Sequence, residues 1–290
     1  MLGLCLKRSF VVSEKVLKAR IRSVTSIGKI TKAMKMVAAS KMRSDIARMV
    51  SGGKFGYQMA NNWFKGDENA RKYLPVFTPD SKTLLVPFTS DKGLCGGVNS
   101  SIVREVKVII GRRRDRYVLF PVGEKGTLAL IRPFPDLLYK AISAVQTPFS
   151  FQTAAAIAFQ IEIAQKDTGC ERMELVFNEF KNVVTSRVQR VEIMSRAGFR
   201  AGHYRSVHEI EEPDYPMATE IYYDLYLASN VYHVMLHSAS SEQSARMAAM
   251  ETASKNCGEM IWKLQLQYNK VRQAKITMEL CEVISGAEAL

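Results

Sequence analysis

Residues 250–281 read METASKNCGEMIWKLQLQYNKVRQAKITMELC. Ten positions here recur at alternating steps of three and four, and nine of them suit an apolar seam. They are Met250, Ala253, Cys257, Met260, Leu264, Gln267, Val271, Ala274, Met278 and Cys281. The segment from Met217 to Ser285 has no proline and a single glycine, Gly258. It is therefore predicted to be one helix roughly 100 Å long, at about 1.5 Å per residue. Such a seam requires a partner helix.

A basic helix near the amino terminus is the predicted partner. Ser13 is a suitable N-cap for a helix that begins at Glu14 and ends near Gly52, or at the latest near Trp63. Its predicted seam consists of Ile27, Ile30, Met34 and Val37, with Val24 and Ile46 extending the same side. Because a long insertion separates the two helices, they run in opposite directions if they pack together.

Between the helices, the sequence alternates between strand and helix patterns. Strands are predicted at 83–88, 117–122, 173–180 and 183–194, and helices from Gly97 to Val108 and over 151–165. A Lys181-Asn182 turn joins the last two strands as a hairpin. The predicted fold class is α+β overall: a long antiparallel two-helix coiled coil from the two termini with an inserted α/β, Rossmann-like domain. The corresponding domains are 14–65, 75–205 and 210–290.

The net charge of +13 is concentrated at the amino terminus. Residues 1–50 carry twelve Lys or Arg against Glu14 and Asp45, which supplies +10 of the total. A basic helix can face nucleic acid, anionic lipid, an acidic protein or only water. No aromatic residue lies between residues 14 and 54, which argues against stacking on single-stranded nucleic acid. An acidic protein partner is the leading hypothesis, and a basic coiled-coil nucleic-acid-binding protein is the alternative.

The cysteines and the hydropathy bear on the compartment. The five cysteines are scattered without a CxxC pair, which favours free thiols in a reducing compartment. No run of 18 apolar residues occurs, so membrane contact is expected only through partners. The acid-free start MLGLCLKRSFVV is either the remnant of an organellar presequence or an ordinary terminus.

Motifs for catalysis or ligand binding are weak. Asp91–Gly97 (DKGLCGG) lies between a strand and a helix, where phosphates often bind, but it lacks the P-loop ending and the GxGxxG spacing. A structural turn or contact loop is favoured, and an α/β enzyme that uses this turn is the third hypothesis. His233 and His237 share a helix face, as metal ligands do, but HVMLH lacks the glutamate of HExxH. We therefore predict no catalytic residue, cofactor or metal.

Three separated blocks resemble the gamma subunit of the F-type rotary ATP synthase. They are KITKAMKMVAASKMR (29–43), TSDKGLCGGVN (89–99) and the C-terminal runs SEQSAR (241–246), LQLQYNKVRQA (264–274), ITMEL (276–280) and VISGAEAL (283–290). The resemblance implies a non-catalytic rotor shaft, an antiparallel coiled coil inside a ring of three alpha and three beta subunits. Its foot would rest on the membrane c-ring and on small central-stalk subunits, without nucleic acid.

The resemblance also implies contact residues. Those facing the ring are Arg246, Arg272, Gln273, Thr277 and Glu279, with Arg246 and Gln273 at a beta-subunit catch loop. Met34, between Lys32 and Lys35, matches a position near an acidic loop of beta, and Glu212 matches a foot residue near the c-ring. The implied location is the matrix side of the mitochondrial inner membrane, or alternatively the inner face of a bacterial cytoplasmic membrane.

Overall fold

A computed structural model describes residues 13–54, 81–196 and 215–288. The chain forms two compact units. The terminal unit combines the sequence up to Met36 with the sequence from Met250 onward, and the central unit is Val37–Ala249. Within the described ranges, no helix has the length and apolar character needed to cross a bilayer.

Two long helices are present where the sequence predicts them. Helix α1 spans Glu14–Gly52. The C-terminal helix, labelled α5 below, spans Tyr215–Glu288, slightly longer than the predicted Met217 to Ser285. Where their faces are covered, contacts along one side stabilise both helices, so neither needs strong local propensity there.

Within the terminal unit, the two helices contact each other in opposite chain directions. The Tyr268 hydroxyl donates to a Glu14 carboxylate oxygen at 2.9 Å. A Cβ atom on Gly28 would lie 3.5 Å from the Cβ of Cys257. The Lys35 ammonium is 3.3 Å from the Glu251 carboxylate. Partner numbers fall along α5 as they rise along α1, so this contact is antiparallel.

Three of the six seam positions predicted on α1 are wrong by one residue, whereas Val24, Met34 and Ile46 are half-buried. Ile27, Ile30 and Val37 are 47%, 57% and 56% exposed, so their assignment to the seam was wrong. The residues that follow them, Gly28, Thr31 and Ala38, are buried or half-buried instead. These side chains are small or weakly apolar, so counting large hydrophobic residues selects the neighbouring row.

The seam predicted on α5 is off by one residue at two positions, whereas Met250, Ala253, Cys257, Leu264 and Val271 are buried or half-buried as predicted. Met260 and Gln267 are exposed, whereas Ile261 and Tyr268 are half-buried. After Val271, every described residue of α5 is exposed, so three further predicted seam positions were wrong, namely Ala274, Met278 and Cys281. The physical reason is the length of α1: it begins at Glu14, which pairs with Tyr268, and no described residue of α1 lies beyond it.

The central unit contains a four-stranded mixed sheet. Its elements are β1 (Thr83–Pro87), α2 (Val98–Arg112), β2 (Tyr117–Leu119), α3 (Glu124–Ile131), α4 (Phe151–Thr168), β3 (Arg172–Phe180) and β4 (Ser186–Ile193). The strand order is β2-β1-β3-β4, in which the first three strands are parallel and β4 is antiparallel to β3. Helix α3 was not predicted from the sequence.

Some predicted boundaries in the sheet were wrong. The second strand ends at Leu119 rather than at Val122, which forms only isolated bridges to Phe88 and Ile142. The hairpin loop is longer than Lys181-Asn182, because β4 begins only at Ser186. Inside this loop, the Asn182 carboxamide oxygen accepts hydrogen bonds from the backbone N–H groups of Val184 and Thr185.

Both faces of the sheet are covered. One face joins β1 and β3 to α4 and to the first half of α5, with Ile161, Tyr223 and Val231 among the fully buried side chains. The other face packs against α2 and α3, with Ile110 and Leu130 fully buried. Burial on both sides explains why β1 reads TLLVP, an uninterrupted run without a polar face.

Arg196 joins the start of α5 to the core. Its guanidinium donates two hydrogen bonds to Glu162 on α4, at 2.7 and 2.9 Å, and contacts the carboxylates of Glu220 and Asp224 on α5. It also lies 4.6 Å from the ring centroid of Tyr223. Burial alone would raise the pKa of Glu162, but hydrogen bonds from Arg196 and Lys166 outweigh burial and lower that pKa.

Replacing Arg196 should therefore destabilise the fold strongly. In Arg196→Met, the buried Glu162 carboxylate loses both hydrogen bonds from the guanidinium and keeps the Lys166 ammonium, 2.9 Å away. We expect this loss to cost about 3 kcal/mol of unfolding free energy in urea titrations. Arg114→Met is the matched control, because its pair with Asp136 is exposed and should contribute less than about 1 kcal/mol. Equal losses in the two variants would contradict the assigned role.

His233 and His237 pack together on α5. Their ring centroids are 4.3 Å apart, and both rings contact the edge or face of Phe177. The backbone N–H of Phe180 donates to Nδ1 of His237 at 3.2 Å. Across the described ranges, no group of three or more His, Cys, Asp or Glu side chains is placed to hold a metal ion. Burial, and then the charge of His237, lowers the pKa of His233 to about 4.

This pair should make stability depend on pH. Because the unfolded chain protonates His233 near pH 6.5 and the folded chain only near pH 4, stability falls as the pH drops through that window. Between pH 8 and pH 5 the expected contribution is about 2 kcal/mol. His233→Asn should reduce the pH dependence of urea unfolding by this amount. An unchanged pH slope in the variant would refute the assignment.

Candidate functional site

The loop between β1 and α2 is held by its own side chains. The backbone N–H of Ser90 donates to the Asn99 carboxamide oxygen at 3.0 Å. The Asn99 amide nitrogen donates in return to the Ser90 hydroxyl at 2.8 Å and to the Cys95 sulfur at 3.2 Å. Cys95 is only 3% exposed. The loop is therefore a closed structural turn, and its thiol is shielded from reagents.

Asp91 anchors this loop to the rest of the central unit. One carboxylate oxygen accepts the backbone N–H of Glu124 at 2.9 Å, and the other accepts the N–H of Val145 at 3.1 Å. Glu124 is the first residue of α3, so Asp91 occupies the helix terminus where a phosphate would otherwise bind. Gly123 permits this arrangement: its φ is +106°, and a Cβ there would lie 2.2 Å from the Thr89 carbonyl oxygen.

The same loop contacts α5 through Arg246. The Arg246 guanidinium donates to the Gly93 carbonyl oxygen at 3.3 Å, to Gln243 at 3.1 Å and to the carboxylate of Glu242. Arg246 is 8% exposed in the chain by itself. Burial raises the pKa of Glu242, and the charge of Arg246 opposes that rise. Arg246 thus fixes the loop rather than extending from the surface, while Leu94 at the loop tip is 61% exposed.

A second polar connection joins β3 to the helices around it. It was not predicted from the sequence. Asn178 is 2% exposed, and its amide nitrogen donates to the Val98 carbonyl oxygen at 3.0 Å. Its side-chain oxygen accepts from Ser101, and its backbone carbonyl accepts from Ser241 at 2.9 Å. The available signal was the asparagine in the otherwise apolar run LVFNEF, because a buried polar side chain in a central strand needs partners.

The basic face of α1 combines cationic and apolar side chains. Lys32 is exposed, Met34 is half-buried, and Lys35 is held by Glu251. The large exposed apolar residues on this helix are Val16, Ile27, Ile30, Met36, Val37 and Val50. Exposed aliphatic side chains beside lysines are typical of a surface that another protein covers.

The end of α5 presents the other contact residues predicted from the sequence. Arg272, Gln273, Thr277 and Glu279 are all exposed. The Thr277 hydroxyl donates to the Gln273 carbonyl oxygen at 2.9 Å, and Glu279 lies 3.6 Å from Lys275. Around them the large exposed apolar residues are Ile276, Met278, Leu280, Val283 and Ile284. Glu212, the remaining predicted residue, lies outside the described ranges.

Comparison with known proteins gives consistent results over nearly the whole chain. The profile of the ATP synthase family matches residues 13–290. The ATP synthase gamma chain of Pelagibacter ubique is 35% identical over 285 residues, which cover 94% of this chain and 98% of that protein. The mitochondrial ATP synthase subunit gamma of Drosophila melanogaster is 35% identical over 277 residues, covering 95% and 90%.

Solved structures give the same result. A chain from the central stalk and c-ring structure of the Tetrahymena thermophila mitochondrial ATP synthase is 44% identical, covers 78% of this chain and 99% of its own, and superposes with a TM-score of 0.70. A chain from the Euglena gracilis mitochondrial ATP synthase is 21% identical with a TM-score of 0.75, which supports the fold alone. On the profile and the curated relatives, this chain belongs to the ATP synthase gamma-chain family.

Proposed function

We propose that this chain is the central rotor shaft of an F-type ATP synthase. It transmits torque between the proton-driven c-ring and the catalytic ring of alpha and beta subunits and performs no catalysis itself. The observation that carries this proposal is the end of α5, where every described residue after Val271 is exposed on a helix that continues to Glu288. A helix end covered with aliphatic side chains needs surrounding protein.

The shaft is a left-handed antiparallel coiled coil of α1 and α5. Support comes from the less exposed positions of α1, which repeat at steps of four and three: Leu17, Ile21, Val24, Gly28, Thr31, Lys35, Ala38 and Met42. On α5 the matching positions are Met250, Ser254, Cys257, Ile261, Leu264, Tyr268 and Val271. A repeat averaging 3.5 residues keeps two supercoiled helices in contact.

Asymmetry explains how such a shaft drives chemistry elsewhere. A ring of identical sites is biased only if its axle contacts each site differently, since equal contacts shift no equilibrium. The two helices supply this difference: Lys32 is exposed and Met34 half-buried on α1, whereas Gln273, Thr277 and Glu279 are exposed on α5. Arg272 is exposed beside Gln273. A stiff rod then carries the same difference to each site in turn.

The predicted contact residues take different roles in this proposal. Arg272, Gln273, Thr277 and Glu279 contact the ring directly, and Lys32, Met34 and Lys35 contact an acidic loop of beta. Arg246, which is buried against Gly93, acts by holding the 91–97 loop in the shape that a catch loop of beta meets. Glu212 contacts the c-ring or a small stalk subunit.

Domain limits and location follow from the same proposal. The divisions 14–65, 75–205 and 210–290 correspond to the first shaft helix, the foot and the second shaft helix. The location is the matrix side of the mitochondrial inner membrane, in line with the mitochondrial gamma subunits among the relatives, or the inner face of a bacterial membrane, in line with the bacterial ones. No observation on the described residues favours nucleic-acid binding.

Substitutions of exposed residues outside the contact face should impair the coupling of proton flow to ATP synthesis before they impair folding. In the assembled enzyme, Gln273→Ala combined with Glu279→Ala should lower the rate of proton-driven ATP synthesis about fivefold or more, equivalent to about 1 kcal/mol. The unfolding free energy of the isolated chain should stay within about 0.5 kcal/mol, because both side chains are exposed. Leu264→Ala, on the contact face, should instead lower that free energy by about 1–2 kcal/mol. Wild-type synthesis in the double variant would count against these contacts.

Affinity purification from native membranes tests the assembly directly. A tagged copy of this chain should bring down alpha and beta subunits, three of each for one copy of the chain. Quantitative mass spectrometry of the washed complex measures that ratio. Recovery of the chain with nucleic acid and without these subunits would refute the proposed function.

A further inference from the structure

The tip of the 91–97 loop has a strained backbone. Leu94 has a φ of +62°, in the left-handed region that residues other than glycine rarely adopt, and Gly96 has a φ of +59°. A leucine keeps such a conformation only where its surroundings hold it there. The Leu94 side chain is 61% exposed, so its own packing contributes little. The conformation of the tip therefore depends on the groups that bond to its backbone.

Arg246 on α5 bonds the strained peptide unit itself. The Gly93 carbonyl oxygen, which accepts from the Arg246 guanidinium at 3.3 Å, belongs to the peptide unit that joins Gly93 to Leu94. Because that unit is planar and rigid, a return of Leu94 to a negative φ would turn the carbonyl away and break the bond. Asp91 and Asn99 hold the two ends of the loop. Arg246 thus opposes relaxation at the tip.

Glu242 orients the Arg246 guanidinium. It lies one turn earlier on α5, and its carboxylate accepts from Nη2 of Arg246, the same nitrogen that donates to Gly93. Nη1 donates to the side chain of Gln243 at 3.1 Å. The Glu242 and Arg246 side chains are 17% and 10% exposed, and a charge-assisted hydrogen bond in such a site is stronger than a neutral one. Without the negative charge, the guanidinium loses its charged acceptor and is drawn towards water.

Charged groups on three elements act on the Glu242 carboxyl group. They are Asp45 on α1, Asp91 in the loop and Arg246 on α5. Burial raises the pKa of Glu242, Arg246 opposes the rise, and the two aspartates add to it. Burial also raises the pKa of the half-buried Asp45, with Arg48 and Lys41 opposing that rise. Glu242 therefore takes up a proton at a higher pH than an exposed glutamate does.

We propose that Glu242 is a positioning residue whose ionised carboxylate holds Arg246 on the Gly93 carbonyl and so keeps the tip of the 91–97 loop closed. When the carboxylate takes up a proton, Arg246 loses its charged acceptor, the peptide unit before Leu94 is released, and the tip opens. In the proposed shaft, the contact between this loop and beta then responds to the local pH. The partner rests on the proposed function, whereas the closing of the tip is a property of this chain alone.

Labelling of Cys95 by N-ethylmaleimide reports whether the tip is open. Cys95 lies in the loop and is 3% exposed, whereas Cys170, 6% exposed, follows α4 in the central unit. In the full chain at neutral pH, Glu242→Gln keeps the side-chain shape and should raise the labelling rate of Cys95 about tenfold or more, because a charge-assisted hydrogen bond is lost. The rate at Cys170 should stay within about twofold of wild type. Mass spectrometry of the peptides separates the cysteines.

Glu259→Gln is the matched control, because it makes the same change at an exposed position of the same helix. Both labelling rates should remain those of the wild type. A merely structural role of Glu242 predicts equal acceleration at Cys95 and Cys170, since a general loss of stability opens both sites. That result, an unchanged rate at Cys95, or the same acceleration in Glu259→Gln would overturn the proposal.

The pH profile of the labelling tests the role of the proton. The ratio of the Cys95 rates in Glu242→Gln and wild type, taken at the same pH, cancels the pH dependence of the thiol itself. It should be largest where wild-type Glu242 is ionised and should fall towards one as the pH drops through the raised pKa of Glu242. A ratio that does not change with pH contradicts the proposal.

These measurements need no partner subunit, so the two proposals can fail separately. Selective acceleration at Cys95 in a chain that recovers no alpha or beta subunits supports the positioning role and refutes the proposed function. Recovery of those subunits without any response at Cys95 refutes the positioning role and leaves the proposed function standing.

Discussion

The close antiparallel contact between the two chain ends is the constraint on which the terminal unit depends. Gly28 and Cys257 approach so nearly that a Cβ on the glycine would be in van der Waals contact at 3.5 Å. Thr31 keeps the face small about one turn further along α1, and the charge of Lys35 is met by Glu251. A bulky side chain at Gly28 would push the helices apart at this point, and the neighbouring Ile27 and Ile30 face outward. The exposed apolar face of α1 is thus the side turned away from this contact.

In the central unit, polar side chains rather than further apolar area fix the position of α5. The Arg196 guanidinium donates to Glu220 in the first turns of α5, and the Ser241 hydroxyl donates to the backbone carbonyl oxygen of Asn178. The Arg246 guanidinium donates to the Gly93 carbonyl oxygen in the 91–97 loop. Hydrogen bonds of this kind define one register along a helix, whereas apolar contacts tolerate sliding. A shaft that carries torque needs such a fixed register, so the three connections suit the proposed function even though none of them faces a partner.

The sequence predicted the elements well and the details of contact poorly. Proline-free length identified both long helices, and the run TLLVP identified a strand buried on both faces. Part of the seam, at Ile27, Ile30 and Val37, was misplaced by one residue because the neighbouring Gly28, Thr31 and Ala38 carry little hydrophobic signal although they are less exposed. Arg246 was expected at the surface, and nothing local shows that Gly93, far away in sequence, would bury it. Long-range polar partners such as Asn178 with Ser241 are set by topology, which single-sequence periodicity does not report.

One cross-link tests most directly whether the two helices turn as a single rod. Gly28→Cys would place its thiol against the native Cys257, with Cβ atoms 3.5 Å apart, at the short end of the disulfide range of about 3.5–4.5 Å. Under mild oxidation, the account predicts near-complete cross-linking in the assembled enzyme with proton-driven ATP synthesis at its wild-type rate, and no cross-link when Cys257→Ser is added. Failure to cross-link, or a loss of synthesis that reduction of the disulfide restores, would contradict it.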